Sequence, residues 1–494
     1  MSDERTSRNE PWREDLRAMY TAKQRTAIPR VRMPELTPEY AVTVDDEVLQ
    51  GLSVEQAVLE ARRCLDCPDP GCIKGCPVHN DIPGFIKNIE RREFGTALRV
   101  IRRTSVLPAV CGRVCPQEKQ CEANCTYTKM KRPAVAIGNL ERFVADNERL
   151  NHPEATAEKI ALSPLSVKVA VVGSGPSGLA FAGDMARRGF RVTVFEAMSW
   201  FGGVLKSGIP RFCLPKYVVN YEIERLRALG VELVANCHVG RDISYEDLLR
   251  DGYKGIYVAT GAGKPRMMGI PGEDLPQVLS AQDYLACVNQ AYCPAVSFDV
   301  KDLNGKTVAV IGGGNTAMDA VRAAIRGGAS RALIIYRRGE EEMPARLEEV
   351  RHARLEGTEF MCLRNPVEYV AGDDGALRAM RLQVMELSEP DATGRRSPVP
   401  VEGAIEEVPV DMVVVAVGFL PNPPKTFPDE LEMSRHGRIM VDEDSLKSSA
   451  SAIYAGGDIV RGPATVILAM GDGRRAADSM TEAFRKSIEE TTLL

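Results

Sequence analysis

Residues 168–178 read K-V-A-V-V-G-S-G-P-S-G, and residues 306–317 read K-T-V-A-V-I-G-G-G-N-T-A. In each stretch, an apolar run typical of a buried strand leads into closely spaced glycines and then into a helical pattern. Such a strand–turn–helix unit presents backbone N–H groups at a helix N-terminus, where they attract phosphate. The first glycines of the two stretches, Gly173 and Gly312, are 139 residues apart. The sequence therefore predicts two related nucleotide-binding units in one chain.

The two units differ where their second strand ends. In the first unit, the predicted strand Arg191–Phe195 ends at Glu196, whose carboxylate can accept hydrogen bonds from a ribose 2′-OH. In the second unit, the predicted strand Ala332–Tyr336 ends at Arg337 and Arg338, and paired guanidinium groups can bind a 2′-phosphate. Arginines that merely end an exposed strand are the alternative. The contrast predicts FAD in the first unit and NADPH, rather than NADH, in the second.

Two cysteine blocks precede the first unit. They are C-x2-C-x4-C-x3-C, formed by Cys64, Cys67, Cys72 and Cys76, and C-x3-C-x5-C-x3-C, formed by Cys111, Cys115, Cys121 and Cys125. Eight thiolates suffice for two [4Fe–4S] clusters. Zinc, which also binds cysteine tetrads, is the alternative. The crowding of the first block into 13 residues, and the prolines that follow several cysteines, favour iron–sulfur clusters.

Composition excludes several other classes of function. The formal net charge is −5 and the basic residues are dispersed, which disfavours nucleic-acid binding. The longest apolar runs are far shorter than the roughly 20 residues of a membrane span, and the polar N-terminus has no leader pattern. We therefore expect a soluble, cytoplasmic protein whose cysteines are ligands or buried thiols rather than disulfides. The scattered histidines support no hydrolytic triad, and no catalytic acid or base is predicted.

The order of these patterns predicts an α/β protein in which a helical iron–sulfur domain is followed by two Rossmann-like domains, the second inserted in the first. The predicted domains are 1–150 for the iron–sulfur domain, 167–285 with 415–494 for the FAD-binding domain, and 286–414 for the NADPH-binding domain. Residues 1–50 read as an extended arm and 147–166 as a polar linker. Within the inserted domain, 360–387 alternates like a hairpin that turns at 373–375.

Several longer motifs occur together and in order along this chain. They include C-G-R-V-C-P from Cys111, F-G-G-V-L-K-S-G-I-P-R-F from Phe201, G-G-G-N-T-A-M-D from Gly312 and Y-A-G-G-D from Tyr454. With these motifs, the chain resembles the small (beta) subunit of NADPH-dependent glutamate synthase over roughly residues 25–490. It is similar also to the N-terminal half of dihydropyrimidine dehydrogenase and to the large subunit of electron-bifurcating ferredoxin:NADP oxidoreductase.

The resemblance implies an interleaved set of cluster ligands. Cys64, Cys67 and Cys72 would share one cluster with Cys125, and Cys76, Cys115 and Cys121 would share the other with Glu141. Cys111 is the alternative eighth ligand. The implied FAD-binding residues are Gly173, Gly175, Ser177, Glu196, Gly203, Leu205, Arg211, Thr260, Gly261, Asp458 and Thr465. The implied NADPH-binding residues are Gly313, Gly314, Asn315, Thr316, Arg337 and Arg338.

The resemblance also implies a function. NADPH would reduce FAD, and electrons would pass through two [4Fe–4S] clusters to a partner flavoprotein. That partner would be the glutamate synthase large subunit or a second reductase subunit, with ferredoxin as a further candidate acceptor. An electron-bifurcating NADH-dependent ferredoxin:NADP oxidoreductase is the alternative within the same class. A zinc-bearing interaction module without turnover is the alternative in another class.

Overall fold

The structure, a computed structural model, describes residues 6–154, 167–291, 293, 299–391, 394, 396–421, 423, 428 and 430–492. Of the predicted polar linker at 147–166, residues 155–166 lie outside the described residues. The start of that linker is helical, because the preceding helix continues to Asn151.

The N-terminal region is built from short helices and one 3-10 turn. The helices are α1 (Pro11–Met19), α2 (Ala22–Ala27), α3 (Pro38–Ala41), α4 (Val54–Arg62), α5 (Gly71–Lys74), α6 (Ile82–Glu90), α7 (Phe94–Arg102), α8 (Pro108–Val114), α9 (Thr126–Lys129) and α10 (Ile137–Asn151), and the 3-10 turn is Gln117–Lys119. Ser53 and Gln56 form the predicted capping box of α4. The expectation of an extended arm is wrong, because α1, α2 and α3 fall within it. A second capping box, between Thr21 and Gln24, begins α2.

The rest of the chain alternates strands and helices. In chain order they are β1 (Lys168–Val172), α11 (Pro176–Arg187), β2 (Arg191–Phe195), α12 (Val204–Ser207), α13 (Lys216–Ala228), β3 (Glu232–Val234), α14 (Tyr245–Arg250), β4 (Tyr253–Val258), β5 (Lys264–Pro265), β6 (Val278–Ser280), α15 (Ala281–Val288), β7 (Thr307–Ile311), α16 (Asn315–Arg326), β8 (Arg331–Tyr336), a 3-10 turn (Glu340–Glu342), α17 (Leu347–Leu355), β9 (Glu359–Cys362), β10 (Arg364–Ala371), β11 (Leu377–Leu387), β12 (Pro398–Pro409), β13 (Met412–Val415), β14 (Phe419–Leu420), β15 (Ile453–Ala455), α18 (Asp458–Arg461) and α19 (Val466–Thr492).

The first sheet has the strand order β15-β4-β1-β2-β3, and its strands pair in parallel. β15 pairs with β4, with Ile453 opposite Ile256, so the chain returns to this sheet near its C-terminus. β1 and β4 are almost fully buried because helices pack on the sheet, among them α11. The C-terminal ends of β1, β4 and β15 therefore meet at one edge, beside the first glycine loop.

The second sheet has the order β6-β13-β7-β8-β9 and is also parallel. β6 pairs with β13, with Val278 opposite Val413. The domain boundary drawn at 286 is therefore wrong for residues 278–280, which belong to the sheet of the inserted unit. Three residues are too few to show a strand periodicity, so the sequence pattern did not assign them. The other domain boundaries stay a prediction.

A three-stranded antiparallel sheet, β10-β11-β12, follows β9. The predicted hairpin around 373–375 is confirmed, because β10 and β11 pair on either side of that turn. The sequence did not predict the third strand, β12, whose prolines are unusual inside a sheet.

Cys287 and Cys293 are joined by a disulfide in the structure. The expectation of a chain without disulfides is wrong at this pair. Within the described residues, no helix is both long enough and apolar enough to cross a membrane.

Candidate functional site

Cysteines from both sequence blocks line one cavity of the N-terminal region. We call Cys64, Cys67, Cys72 and Cys125 the first cysteine group. Burial raises the pKa of Cys72, and the other three thiols of the group raise it further. Burial also raises the pKa of Cys64 to about 11. Four thiols crowded around one buried cavity require a cation to become thiolates together, so the donor set fits an iron–sulfur cluster.

A second cysteine group contains Cys76, Cys115, Cys121, Cys111 and the carboxyl group of Glu141. The Cys115 thiol hydrogen bonds to Cys111, and this bond is the largest cause of the raised pKa of Cys115. Burial raises the pKa of Cys76 to about 11, and the charge of Glu141 contributes to the raised pKa of Cys76 and of Cys115. The structure therefore brings both candidates for the eighth ligand to the same place.

The surroundings of Glu141 fit the predicted eighth ligand better than those of Cys111 do. Burial, and then the nearby Glu222, raise the pKa of Glu141 to about 8. Among the described residues, no group donates a hydrogen bond to this carboxyl group or forms an ion pair with it. Cys111, in contrast, contacts Ser105 and lies 3.5 Å from the sulfur of Met470. A cation at the second group would compensate the charge of this half-buried carboxylate, which is the interaction that an iron site offers.

The two candidates predict different spectra. We expect Glu141→Ala to alter or remove the EPR signal of one cluster, with loss of up to about four irons per chain. Cys111→Ser should leave the iron content and both signals unchanged, because serine preserves the size of this buried side chain. The measurement is EPR of the reduced protein together with iron analysis. The reverse pattern, loss in Cys111→Ser alone, would make Cys111 the ligand.

The first glycine loop connects β1 to α11 at the edge of the first sheet. Gly173 has φ +100°, and a Cβ there would lie 2.5 Å from the carbonyl oxygen of Ala259. A Cβ on Gly178 would lie 2.1 Å from the carbonyl oxygen of Gly173, so the helix packs close to the strand end. A Cβ on Gly175, the N-cap of α11, would meet nothing within 4 Å. This open space in front of a helix N-terminus fits a pyrophosphate.

Glu196 supports this loop directly. Its carboxylate accepts hydrogen bonds from the Ser174 N–H at 3.0 Å, the Ser174 hydroxyl at 2.5 Å and the Met198 N–H at 2.9 Å. A carboxylate offers about four acceptor positions, so one remains for a ribose hydroxyl. Gly203 approaches the loop from the other side, where its Cβ would lie 3.1 Å from the Gly175 Cα.

Three further predicted FAD residues lie at the ends of β4 and β15. The Thr260 Oγ1 is buried and has no hydrogen-bond partner among the described residues, which fits a polar ligand at this edge. Gly261 follows with φ +73°. Asp458 begins α18, and burial raises its pKa to about 6. The first loop and these residues together fit FAD.

The remaining predicted FAD residues are placed differently. The Ser177 hydroxyl is 2.7 Å from the Tyr257 hydroxyl, so Ser177 can offer a ligand its backbone N–H. Leu205 is fully buried in the core below the loop. Arg211 is exposed and hydrogen bonds to Gln290 at 3.5 Å. Thr465 caps α19 through the Leu468 N–H. Their roles toward FAD stay predictions.

The second glycine loop repeats this geometry between β7 and α16. Gly312 has φ +142°, and a Cβ on Gly314, the N-cap of α16, would meet nothing within 4 Å. Gly313 lies against the ring of Tyr336, the last residue of β8, where a Cβ would be 2.8 Å from ring carbons. The loop and the following Arg337 and Arg338 are thus neighbours.

Those two arginines directly follow β8, beside the loop. Arg337 is exposed, whereas the Arg338 Nε is buried and has no hydrogen-bond partner among the described residues. An unpaired buried donor next to an open helix N-terminus fits an anionic ligand such as the 2′-phosphate of NADPH. Thr316 is half-buried on the first turn of α16, and the Asn315 Oδ1 accepts the Arg346 N–H at 2.8 Å.

Paired glycine variants distinguish the two loops. We expect Gly175→Ala to lower the bound FAD severely, and Gly314→Ala to keep FAD while raising the KM for NADPH at least tenfold. Both glycines have ordinary negative φ and free space for a Cβ, so the fold should tolerate alanine while the added methyl occupies ligand space. Flavin absorbance, steady-state kinetics and thermal melting are the measurements. Full flavin retention and normal kinetics in both variants would contradict this assignment.

Sequence reasoning missed several residues that build these sites. Tyr257 stacks on Phe181 and hydrogen bonds to Ser177, and Asp472 accepts the Gly457 N–H at 2.9 Å. The Arg346 side chain reaches Gln117 of the cysteine-bearing region at 3.1 Å. Arg346 had a signal in the sequence, because it directly follows the motif E-M-P-A that begins at Glu342. The others look like ordinary strand or helix residues in the sequence.

Comparison with known proteins agrees with this geometry. Residues 41–152 match the family model of dihydropyrimidine dehydrogenase domain II, a 4Fe-4S cluster domain, and residues 167–473 match the pyridine nucleotide-disulphide oxidoreductase family. The glutamate synthase [NADPH] small chain of Halomonas elongata is 37% identical over 88% of this chain and 92% of its own length. The NADP(+)-dependent formate dehydrogenase subunit beta of Moorella thermoacetica is 39% identical over 85% of this chain and 61% of its own length.

Among solved structures, FprA, an oxidoreductase of Mycobacterium tuberculosis, is similar with a TM-score of 0.57 and 22% identity, covering 66% of this chain and 86% of FprA. At this identity the likeness shows the fold alone, and it confirms the predicted Rossmann-like architecture. The cluster-domain match covers both cysteine blocks and removes the support for the zinc alternative. By its cysteine blocks, its two glycine loops and its full-length relatives, the chain belongs to the family of the NADPH-dependent glutamate synthase small chains.

Proposed function

We propose that the chain is the NADPH-oxidising subunit of a multi-subunit enzyme, binds one FAD and two [4Fe–4S] clusters, and passes electrons to a partner flavoprotein. FAD, when bound, supplies the chemistry that links the two-electron hydride of NADPH to one-electron carriers. The residues of this chain bind and orient the cofactors, and none is assigned as a general acid or base. The observation that carries the proposal is the presence of two separate cysteine groups and two open glycine loops in one folded chain.

The packing of α19 supports an order among the cofactors. This helix begins just after the Asp458 loop of the predicted FAD site. A Cβ on Gly471 would lie 3.2 Å from the carbonyl oxygen of Pro77, which follows Cys76, and Met470 contacts Cys111. The second cysteine group is therefore the one that adjoins the FAD site. Burial is the largest cause of the raised pKa of Cys121, and the charge of Cys72 adds to it, so the two cysteine groups are also neighbours of each other.

The comparisons favour glutamate synthase as the assembly. The small chain of Halomonas elongata aligns over nearly all of its length, whereas the formate dehydrogenase subunit aligns over 61% of its length. We infer that the partner is a large subunit of the glutamate synthase type, which would receive electrons for the reductive step of glutamate formation. Residues 41–152 and 167–473 match a cluster domain and an oxidoreductase family rather than a glutamine amidotransferase, so the chain should not form glutamate from glutamine by itself.

Cofactor analysis of the anaerobically purified chain tests the first part of this proposal. We expect about eight irons, about eight sulfides and one FAD per chain, and reduction of a dye acceptor by NADPH. About four irons, or zinc in place of iron, would contradict two clusters. For the partner, glutamate formation from glutamine and 2-oxoglutarate should require both this chain and a glutamate synthase large subunit. Oxidation of NADPH that reduces ferredoxin only when NAD is present as the second electron acceptor would instead indicate the bifurcating alternative.

A further inference from the structure

Lys87 is a buried lysine beside the first cysteine group. It lies on α6, whose residues are all buried, and its own exposed fraction is 0%. Its Nζ donates hydrogen bonds to the carbonyl oxygen of Cys64 and to Glu90 Oε2, both at 2.6 Å. Burial of an ammonium group is costly, because the group loses its hydration. A lysine held in this way against a predicted cluster ligand calls for a function.

The negative charge of Glu90 is shared between two cations. Glu90 Oε1 also accepts a hydrogen bond from Arg25 Nη1 at 2.9 Å. Of the three groups, the ammonium of Lys87 is the one that contacts Cys64. The first cysteine group therefore has a positive charge in direct contact with a ligand residue.

The second cysteine group has neighbours of the opposite sign. The buried Glu122 directly follows Cys121 in the chain, and Glu141 offers a carboxylate to the group itself. Glu122 is itself paired with Arg30, but Glu141 has Glu222 rather than a cation as its charged neighbour. The two groups thus lie in electrostatically different surroundings within one small region.

We propose that Lys87 is a charge-positioning residue that holds the reduction potential of the cluster in the first cysteine group above that of the cluster in the second. This inference rests on the proposed function. Each reduction adds one electron, supplied by NADPH, and one negative charge to a cluster, so a buried cation favours the reduced form and a buried carboxylate opposes it. Electrons would then move from the second group to the first, away from the FAD site.

Redox titration of the anaerobic protein, followed by EPR, tests this role with three variants. We expect Lys87→Gln to shift the midpoint of the first cluster to a lower potential, with at least a tenfold smaller ratio of reduced to oxidised cluster at a fixed potential. We expect Glu90→Gln to shift the same midpoint upward, because Lys87 then loses its counter-charge. Lys87→Arg should keep the wild-type midpoint. The first cluster is identified as the signal that is missing from Cys72→Ala.

The opposite signs separate this role from a structural one. If Lys87 had only a structural role, Lys87→Gln and Glu90→Gln would both lose the first cluster or would both shift its midpoint in the same direction. Either result would overturn the inference, and so would unchanged midpoints. If Lys87→Gln does not assemble its cluster, the upward shift in Glu90→Gln decides alone. The midpoint of the second cluster is the internal control. A wild-type chain without two clusters would instead contradict the proposed function, before any variant is measured.

Discussion

Replacement of Arg338 by alanine is expected to raise the KM for NADPH by about 10- to 150-fold and to leave the KM for NADH nearly unchanged. The estimate corresponds to the loss of one hydrogen bond to a charged group, worth about 1.5–3 kcal/mol. The buried, unpaired Nε of Arg338 is the reason to expect the larger effect here. Arg337 is exposed, so Arg337→Ala should have a smaller effect of the same kind.

The control for this experiment lies at the other end of the same strand. Arg331 begins β8, is exposed, and forms an ion pair with Glu359 at 2.7 Å. Arg331→Ala removes a guanidinium group from β8 without touching the glycine loop, so its KM for both nucleotides should equal that of the wild type. Steady-state dye reduction by the wild type and by each variant, with each nucleotide in turn, gives the KM values. If Arg338→Ala raised the KM for NADPH and the KM for NADH equally, this residue would not bind the 2′-phosphate.

The nucleotide loops could be predicted from the sequence because their glycines are required by the backbone. Gly173 and Gly312 both have positive φ, and their Cβ positions are blocked by carbonyl oxygens of neighbouring strands. The positive φ of the turn and the contact of Gly178 with the Gly173 carbonyl oxygen act within a few residues of chain, so they leave a spacing that can be recognised without a structure. The difference between Glu196 and Arg337 at the strand ends was visible for the same reason.

Other parts of the molecule depend on contacts between distant residues, and the sequence did not predict them. In the sequence, Lys87 looks like a solvent-facing lysine of an amphipathic helix. In the structure, it donates hydrogen bonds to Glu90 and to the Cys64 carbonyl oxygen, and Glu90 is also bound by Arg25. The helices of the first 50 residues are held partly by ion pairs such as that between Arg13 and Asp66. Such partners are far apart in the chain, so local periodicity carries no record of them.

The cysteines fall between these two cases. Their number and spacing predicted iron–sulfur clusters, but two blocks of four are equally compatible with one cluster per block. The interleaved arrangement, in which Cys125 joins Cys64, Cys67 and Cys72, came from the resemblance alone. In the structure these four line one cavity, while Cys76 of the first block lies with the second group.

Interleaving leads to the prediction with the largest expected effect on iron content. Cys72→Ala and Cys125→Ala should each remove about four irons per chain and abolish the same EPR signal, although the two cysteines belong to different sequence blocks. Cys76→Ala should abolish the other signal, although Cys76 is only four residues from Cys72. Each cluster needs four protein ligands, and the alanine variants leave three donors around a site that burial makes unfavourable for thiolates.

The matched control is Cys362→Ala, a half-buried cysteine on β9 that lies in the second sheet. This variant should keep all of its iron and both signals, so any loss in the other three cannot be attributed to cysteine replacement as such. Iron analysis and EPR of the anaerobically reconstituted proteins give the result. If Cys72→Ala and Cys76→Ala abolished one signal and Cys125→Ala the other, each block would hold its own cluster. The cavity shared by Cys72 and Cys125 would then not be the site of one cluster, and the role inferred for Lys87 would fail as well.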